Sequence, residues 1–268
     1  MDHRAMLLLL LLSALCNACT AEDLITDEEH VNSEKEDIST TILRMNNGSN
    51  DMLLEGDIFV PKTRNAMKCL NQQYSCRWDK ASNGNVEIPY VISNDYDHTE
   101  RNEILRAMKG FQDKTCIRFV PRRQERAYLS LEPNFGCFSV VGRSGDRQVV
   151  SLQKFGCVHY GIIQHELLHA LGFLHEHTRS DRDQYVRINW DNIQTHYVNN
   201  FVKKDTENLT PYDYSSVMHY GKTAFGKMGA ETITPIPNPN IPLGQREGMN
   251  DSDILRVNKL YKCWSYIG

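Results

Sequence analysis

The chain has 268 residues, of which 40% are hydrophobic and 24% charged, and its formal net charge at pH 7 is −4. Beyond the first residues, no apolar stretch approaches the length of about 20 residues that a bilayer span needs, which excludes a membrane-spanning protein. No segment is basic enough to indicate a nucleic-acid-binding protein.

The first 21 residues have the pattern of a secretory signal. Arg4 provides a charged start, residues 6–15 form a short apolar run, and small residues follow at 18–21. Because this run is too short for a membrane helix, we expect a signal peptide over residues 1–21 and a secreted protein.

An acidic leader follows at residues 22–64. It has eleven acidic and four basic side chains, a net charge of −7, whereas residues 65–268 carry about +3. This contrast suits a pro-segment that lies against the domain it restrains, although a solvated acidic linker has the same composition. Up to residue 50 the leader is polar and lacks aromatic residues. We therefore expect it to be poorly ordered, with 38–45 as its one possible short helix.

Lys62 and Arg64 mark a tryptic-type cleavage point at the end of the leader. A domain at residues 65–268 is long enough for one core, or for two lobes that share a cleft. Its hydrophobic periodicity predicts a mixture of strands and helices, that is, an α+β fold. The predicted strands are 86–92, 116–120, 127–131 and 149–152, and the predicted helices are 99–111, 160–171, 189–201 and 251–261.

The predicted helix 160–171 carries a metal-binding pattern. His165 and His169 are four residues apart, so both side chains project from one face and can bind one metal ion, with Glu166 over the same site. Gly172 is interpreted as the left-handed residue that ends the helix and turns the chain, so that His175 completes the site. Three imidazoles that leave coordination positions open are typical of a catalytic zinc site.

A His-Glu-x-x-His pattern alone also arises by chance on amphipathic helices. The third histidine and the glycine at their spacing favour the catalytic interpretation. Zinc held by three neutral imidazoles lowers the pKa of a bound water towards about 7. Glu166 can take the proton of that water and later pass it to a leaving amine, which predicts peptide hydrolysis.

A tight turn at residues 214–221 supports this interpretation. Met218 offers an apolar floor for the site and Tyr220 a polar arm, whereas His219 is interpreted as a satisfied buried histidine rather than a fourth ligand. Without the zinc motif, this segment could be any buried loop.

An even number of cysteines follows the predicted signal. In a secreted chain, six cysteines favour three disulfides, with 15 possible pairings. A thiolate zinc site is the alternative, but no two of these six form a C-x-x-C pair. The six are Cys69, Cys76, Cys116, Cys137, Cys157 and Cys263.

The histidine motif followed by a methionine turn is the metzincin signature. Its continuation resembles the astacin family, and the resemblance extends over essentially all of residues 65–268. It implies a two-lobed zinc protease domain with the active-site cleft between the lobes. The residues that carry it are Gly172-Phe173, His175-Glu176, Arg179, Asp181-Arg182-Asp183 and Ser216-Val217-Met218-His219-Tyr220.

The resemblance also implies roles for individual residues. The three histidines bind one zinc ion, Glu166 is the catalytic base, and Tyr220 is an additional ligand that swings away to stabilise the transition state. Met218 supports the site, and a processed N-terminus at Asn65 reaches Glu176.

The disulfides implied by the resemblance are Cys116–Cys263 and Cys137–Cys157. The remaining pair, Cys69 and Cys76, resembles an additional bridge of fish hatching enzymes. The segments 118–121, 125–133 and 232–239 look closest to the low choriolytic type of those enzymes.

Pro-segments of the family carry a Phe-x-Gly-Asp motif, whose aspartate occupies the zinc in the latent enzyme. This chain has Leu54-Glu55-Gly56-Asp57, with leucine in place of phenylalanine. Asp57 is therefore the expected switch and, in the latent form only, a metal ligand.

We expect a secreted, monomeric zinc endopeptidase, stored in granules as a proenzyme and inhibited by its own pro-segment, that digests egg-envelope glycoproteins at hatching. The alternatives are an astacin of kidney or leukocytes with another extracellular substrate, and an inactive secreted binding module, against which the intact Glu166 argues.

The family's frequent preference for acidic residues after the scissile bond would need a cation in the cleft, either Arg246 or Lys227. Sequons at Asn47, Asn208 and Asn250 are candidate glycan sites.

Overall fold

The computed structural model describes residues 36–60, 76–245 and 247–267. The predicted signal peptide and cleavage point, Asn65, Cys69 and Arg246 lie outside these residues. From Asp37 onward the chain belongs to one compact unit. Within the described ranges, no helix is long and apolar enough to cross a bilayer.

A seven-stranded mixed sheet organises the larger part of this unit. Its strands are β1 (Leu53–Leu54), β2 (Ile58–Phe59), β3 (Val86–Ile92), β4 (Ile117–Pro121), β5 (Tyr128–Glu132), β6 (Cys137–Ser139) and β7 (Arg147–Leu152). Their spatial order is β1-β2-β6-β7-β5-β3-β4. Strand β6 pairs antiparallel with β7 and parallel with β2, where Ile58 lies beside Ser139. Two short strands of the leader therefore extend the sheet beyond β6.

Four α-helices accompany the sheet in the described residues: α1 (Ile38–Asn46), α2 (His98–Lys114), α3 (Tyr160–Ala170) and α4 (Asp251–Leu260). Helices α2 and α4 begin at capping boxes, in which Asp97 with Glu100 and Asn250 with Asp253 satisfy the first free backbone N–H groups. Both helices were predicted from the sequence. The amide nitrogen of Asn250 also donates to Asp213, so the side chain of this sequon is used within the fold.

Two hydrophobic clusters form the interior. The larger one lies where α2 and α3 pack against the sheet, and it includes the fully buried Phe111 and Leu167. The second surrounds a small antiparallel pair, β8 (Val186–Ile188) and β9 (Ile233–Pro235), and includes Phe201 and Tyr220. Two separate cores agree with the expected α+β domain of two lobes.

The leader is more ordered than its composition predicts. Helix α1 is capped by Asp37, whose carboxylate accepts the Thr40 N–H at 3.0 Å. The apolar side chains Ile38, Ile42 and Met45 of the helix are buried in the larger core. Full burial of Ile42 stabilises the fold by roughly 1.5–3 kcal/mol. The possible short helix at 38–45 is confirmed, whereas the expectation of poor order is wrong for residues 37–46, because their apolar face is covered only in the tertiary structure.

The predicted helix at 189–201 is also wrong. The chain forms two short 3-10 segments instead, Trp190–Asn192 and Thr195–Phe201. Between them, the Gln194 N–H donates to the Phe225 carbonyl at 3.0 Å, so this backbone group bonds across the second lobe rather than along a helix. Strands β6, β8 and β9 were not predicted, because three residues are too few to show an alternating pattern.

Candidate metal centre

Helix α3 supplies the first half of the site and is buried on all sides from Gly161 to Ala170. Its end follows the Schellman pattern: the Gly172 N–H donates to the His169 carbonyl at 2.8 Å, and the Phe173 N–H donates to the Leu168 carbonyl at 3.0 Å. Gly172 has a φ of +103°, in the left-handed region predicted for it. The chain thereby turns back beside the helix.

This turn brings His175 to His165 and His169. One ligand atom from each histidine and one from Asp57 all lie within 4.8 Å of one another, and the four residues are buried. Asp57 comes from the leader, in the turn between β1 and β2. Its Oδ2 is 3.0 Å from His165 Nε2 and 3.3 Å from His175 Nε2, and its Oδ1 is 3.5 Å from His169 Nε2.

The three imidazoles are oriented by contacts at Nδ1. His165 Nδ1 lies 2.8 Å from the Val217 carbonyl, and His169 Nδ1 lies 2.7 Å from the Phe173 carbonyl. A carbonyl can only accept, so each Nδ1 carries the proton and each Nε2 presents a lone pair to the centre. His175 Nδ1 lies 2.8 Å from a carboxylate oxygen of Glu55.

These residues fit a zinc ion. Among the described side chains, His169 Nε2 and Asp57 Oδ1 are buried without a hydrogen-bond partner, and both point into the cluster. Burial lowers the pKa of His165 to about 4, so this imidazole is neutral at physiological pH, as a metal ligand must be. Burial by itself raises the pKa of Asp57, but the neighbouring histidines hold it well below its usual value, so Asp57 is ionised.

Comparison with known proteins decides the family. The family model described as Astacin, a peptidase family, matches residues 71–262. Low choriolytic enzyme of Oryzias latipes is 62% identical over 266 residues, which cover 97% of this chain and 98% of that protein. High choriolytic enzyme 1 of the same fish is 57% identical over 229 residues, which cover 85% of this chain and 84% of that protein.

The solved structure of high choriolytic enzyme 1, described as a hatching enzyme zinc-protease, superimposes with a TM-score of 0.69 and covers 71% of this chain and 96% of that one. The chain belongs to the astacin family. This astacin has the expected α+β fold and is a zinc metalloendopeptidase with one zinc site. The predicted likeness to fish hatching enzymes is confirmed.

Glu166 lies one residue after the first histidine and is completely buried. In the described part of the astacin, neither of its carboxylate oxygens has a hydrogen-bond partner. Burial, and then the negative charge of Asp57, raise the pKa of Glu166 well above its usual value. A buried carboxyl group with free oxygens beside the three histidines can act as a general base and then as a general acid.

The methionine turn contacts the histidines through Val217 and Tyr220. Met218 is buried in the larger core, and its carbonyl accepts the N–H of Glu176 at 2.9 Å, which joins the turn to the segment after His175. Tyr220 is buried with its ring centroid 4.6 Å from that of His175, and its hydroxyl donates to the Glu55 carbonyl. His219 is satisfied as predicted, by the Tyr220 carbonyl at 2.8 Å and the Tyr212 hydroxyl at 2.6 Å.

Glu176 is buried and surrounded by donors of the same astacin domain. Arg256 binds both of its carboxylate oxygens, at 2.6 and 2.8 Å, and the Asp213 N–H donates to it at 2.8 Å. The predicted partner of Glu176, Asn65, lies outside the described residues. Its contact with Glu176 stays a prediction.

The structure contains both disulfides that the family resemblance implies, Cys116–Cys263 and Cys137–Cys157. The pair Cys69 and Cys76 is not described, because Cys69 lies outside the described residues. Of the two cations suggested for the cleft, Arg246 also lies outside them, and Lys227 is exposed with its ammonium donating to the Asp191 carbonyl at 2.8 Å.

Three residues that contact the site were not predicted from the sequence. Glu55 binds His175, Arg256 binds Glu176, and the Nζ of Lys204 lies 3.5 Å from Glu55. The one local signal was the position of Glu55 beside the Gly56-Asp57 pair. The others lie far along the chain from the residues they contact.

Proposed function

We propose that this astacin is a secreted hatching protease that digests egg-envelope proteins and is made as a latent proenzyme. The observation that carries the proposal is Asp57, a carboxylate of the leader that lies among His165, His169 and His175. The substrate class rests on the 62% identity to low choriolytic enzyme across nearly the whole chain. Secretion rests on the signal pattern at residues 1–21.

The three histidines would hold the zinc through Nε2, with Asp57 as the additional ligand in the latent form. Bound zinc supplies the Lewis-acid chemistry that activates a water molecule for attack on a peptide carbonyl. Glu166 accepts the proton of that water and delivers it to the amine that leaves.

Tyr220 is assigned the second catalytic role. In the latent form its hydroxyl donates to the Glu55 carbonyl. Departure of the leader removes this acceptor, and the hydroxyl can then stabilise the negative charge that develops on the carbonyl oxygen of the substrate. The Tyr220 hydroxyl is therefore the donor to the leader in the latent form and the donor to the substrate in the active form.

Before Asp57, side chains of helix α1 bind backbone groups of the catalytic domain, and after Asp57 the residue Ile58 pairs with Ser139. The amide of Asn46 bonds to Cys137 in both directions, accepting its N–H at 2.8 Å and donating to its carbonyl at 2.6 Å, so this side chain acts like a strand beside β6. The hydroxyl of Ser39 accepts the Gly221 N–H at 2.7 Å, next to Tyr220. These contacts hold α1 and β2 across the metal centre and support the role of residues 22–64 as an inhibitor.

The proposal is tested with activated protein on casein, with and without a zinc chelator, and then on isolated egg envelopes. We expect chelator-sensitive cleavage of both substrates, and a fall in kcat/KM of about 10²–10⁴-fold for Glu166→Gln. Cleavage of casein but not of egg envelopes would indicate an astacin with another substrate. Absence of chelator-sensitive cleavage would indicate a binding module.

Latency is tested separately with the uncleaved proenzyme. We expect Asp57→Ala to release proteolysis before the leader is removed, because the blocking carboxylate is lost. Asp51→Ala is the matched control, since this leader carboxylate is exposed. If the Asp57→Ala proenzyme stays as silent as the wild type, Asp57 is not the restraint.

A further inference from the structure

The third zinc-site histidine differs from the other two in what orients it. His165 and His169 are held by backbone carbonyls of the catalytic domain, those of Val217 and Phe173. His175 Nδ1 instead lies 2.8 Å from Oε2 of Glu55, a leader residue two positions before Asp57. The leader therefore contacts this metal centre with two carboxylates.

Every polar group of Glu55 is used by the catalytic domain. Its N–H donates to the Asn200 side chain at 3.1 Å, its carbonyl accepts from the Tyr220 hydroxyl, and its Oε1 lies 3.5 Å from Lys204 Nζ. The side chain is 2% exposed. A carboxylate this deeply buried is stable only with such partners. These contacts form a buried niche that binds one glutamate side chain, which an exposed turn would not need.

The backbone of Glu55 is strained to reach this niche. Its φ is +51°, a left-handed conformation that costs a residue with a Cβ roughly 1–2 kcal/mol. Gly56, the next residue, has a φ of +84° without that cost. A turn selected for its shape alone would favour glycine or asparagine at position 55. The contacts of the glutamate side chain offset the strain.

We propose that Glu55 is a positioning residue of the latent metal centre, which fixes the ring and tautomer of His175 and thereby strengthens zinc binding in the proenzyme. The inference rests on the proposed latent form and adds a second function to the leader. A carboxylate on the outer nitrogen of a ligand histidine orients the ring and raises its basicity, and loss of such a partner typically weakens metal binding about 10–100-fold. Removal of the leader takes away Asp57 and Glu55 together.

The test measures zinc binding by the full-length proenzyme. All variants carry Glu166→Gln, so that none digests itself. The variants are Glu55→Ala, Glu55→Gln and Asp57→Asn, and the matched control is Asp51→Asn in the same leader. Zinc affinity is measured by competition with a chromophoric chelator, and the visible spectrum of the cobalt-substituted protein reports the ligand field. Urea unfolding of the metal-free proteins shows whether each variant folds.

We expect Glu55→Ala to weaken zinc binding about 10–100-fold and to change the cobalt spectrum. Glu55→Gln should lie between this variant and the wild type, because its amide oxygen still accepts from His175 but carries no charge. Asp51→Asn should match the wild type in both measurements.

Two results would overturn the inference. One is wild-type zinc affinity in Glu55→Ala while Asp57→Asn binds zinc more weakly, which would leave the proposed latency intact. The other is wild-type zinc affinity in both Glu55→Ala and Asp57→Asn, which would also contradict the proposed role of Asp57 as a zinc ligand in the latent form. If Glu55→Ala does not fold, the zinc affinity and cobalt spectrum of Glu55→Gln decide in the same way.

Discussion

Single buried charges next to the metal centre are stabilised by specific partners. Glu176 follows His175 directly and is 3% exposed, and Arg256 binds it through a two-pronged contact. Burial raises the pKa of Glu176, while Arg256 and then Arg179 oppose that rise. The contact of Arg256 with both carboxylate oxygens compensates for the burial of Glu176.

Replacing Arg256 with methionine should lower the free energy of unfolding by about 3–5 kcal/mol, because the buried carboxylate of Glu176 loses the cation that binds both of its oxygens. Arg256→Lys should retain only part of the stability that arginine provides, since lysine lacks the planar guanidinium group that binds both carboxylate oxygens. Urea denaturation of the proenzyme measures both. Arg126→Met is the control, because its pair with Asp146 is exposed and its loss should leave the free energy of unfolding nearly unchanged. A loss below about 1 kcal/mol for Arg256→Met would contradict the assigned role.

The end of helix α3 determines where His175 lies. Two hydrogen bonds from Gly172 and Phe173 close the helix, and the left-handed backbone at Gly172 reverses the chain. A Cβ at Gly172 would have ordinary space, with the nearest atom, in Gly142, 4.0 Å away. The requirement for glycine therefore comes from the backbone conformation and not from crowding.

Gly172→Ala should destabilise the protein by about 1–2 kcal/mol and also weaken zinc binding, because relaxation of the turn moves His175. Gly145→Ala is a matched control, since Gly145 has a φ of +92° and open space around it. We expect a similar loss of stability for Gly145→Ala with unchanged zinc affinity. Thermal unfolding and chelator competition measure the two quantities. Equal zinc affinity in both variants would argue against the role of Gly172 in the site.

The two disulfides constrain the whole molecule to different extents. Cys116–Cys263 joins the start of β4 to the end of the chain across 147 residues, whereas Cys137–Cys157 spans 20 residues. The shorter bridge includes Cys137, whose backbone binds Asn46 of the leader. The longer bridge therefore links the segment after α4 to the sheet. The shorter bridge fixes the strand β6, which binds the leader.

Removing the long bridge by Cys116→Ala with Cys263→Ala should cost about 5 kcal/mol of unfolding free energy, against about 3 kcal/mol for Cys137→Ala with Cys157→Ala, because the longer loop restricts the unfolded chain more. Denaturant unfolding of the two double variants under identical conditions gives the comparison. The reverse order of stability would contradict this account.

Local spacing in the sequence was sufficient for the features that depend on neighbouring residues. His165, Glu166 and His169 could be placed together because a helix repeats every 3.6 residues, and Gly172 indicated the turn to His175 because left-handed backbone favours glycine. The same helical period, read from apolar side chains, predicted α2 and α4. The family resemblance added Asp57 and the two disulfides, which local spacing does not contain.

Only the tertiary structure decided which distant residues complete the site. Glu55 is 120 residues from His175, Arg256 is 80 residues from Glu176, and Asn46 is 91 residues from Cys137. No periodicity connects such positions, because these contacts form only when the sheet and the two cores are assembled. For the same reason the sequence indicated α1 only as a possible short helix in a poorly ordered leader, because its apolar face is stable as a helix only when the core covers it.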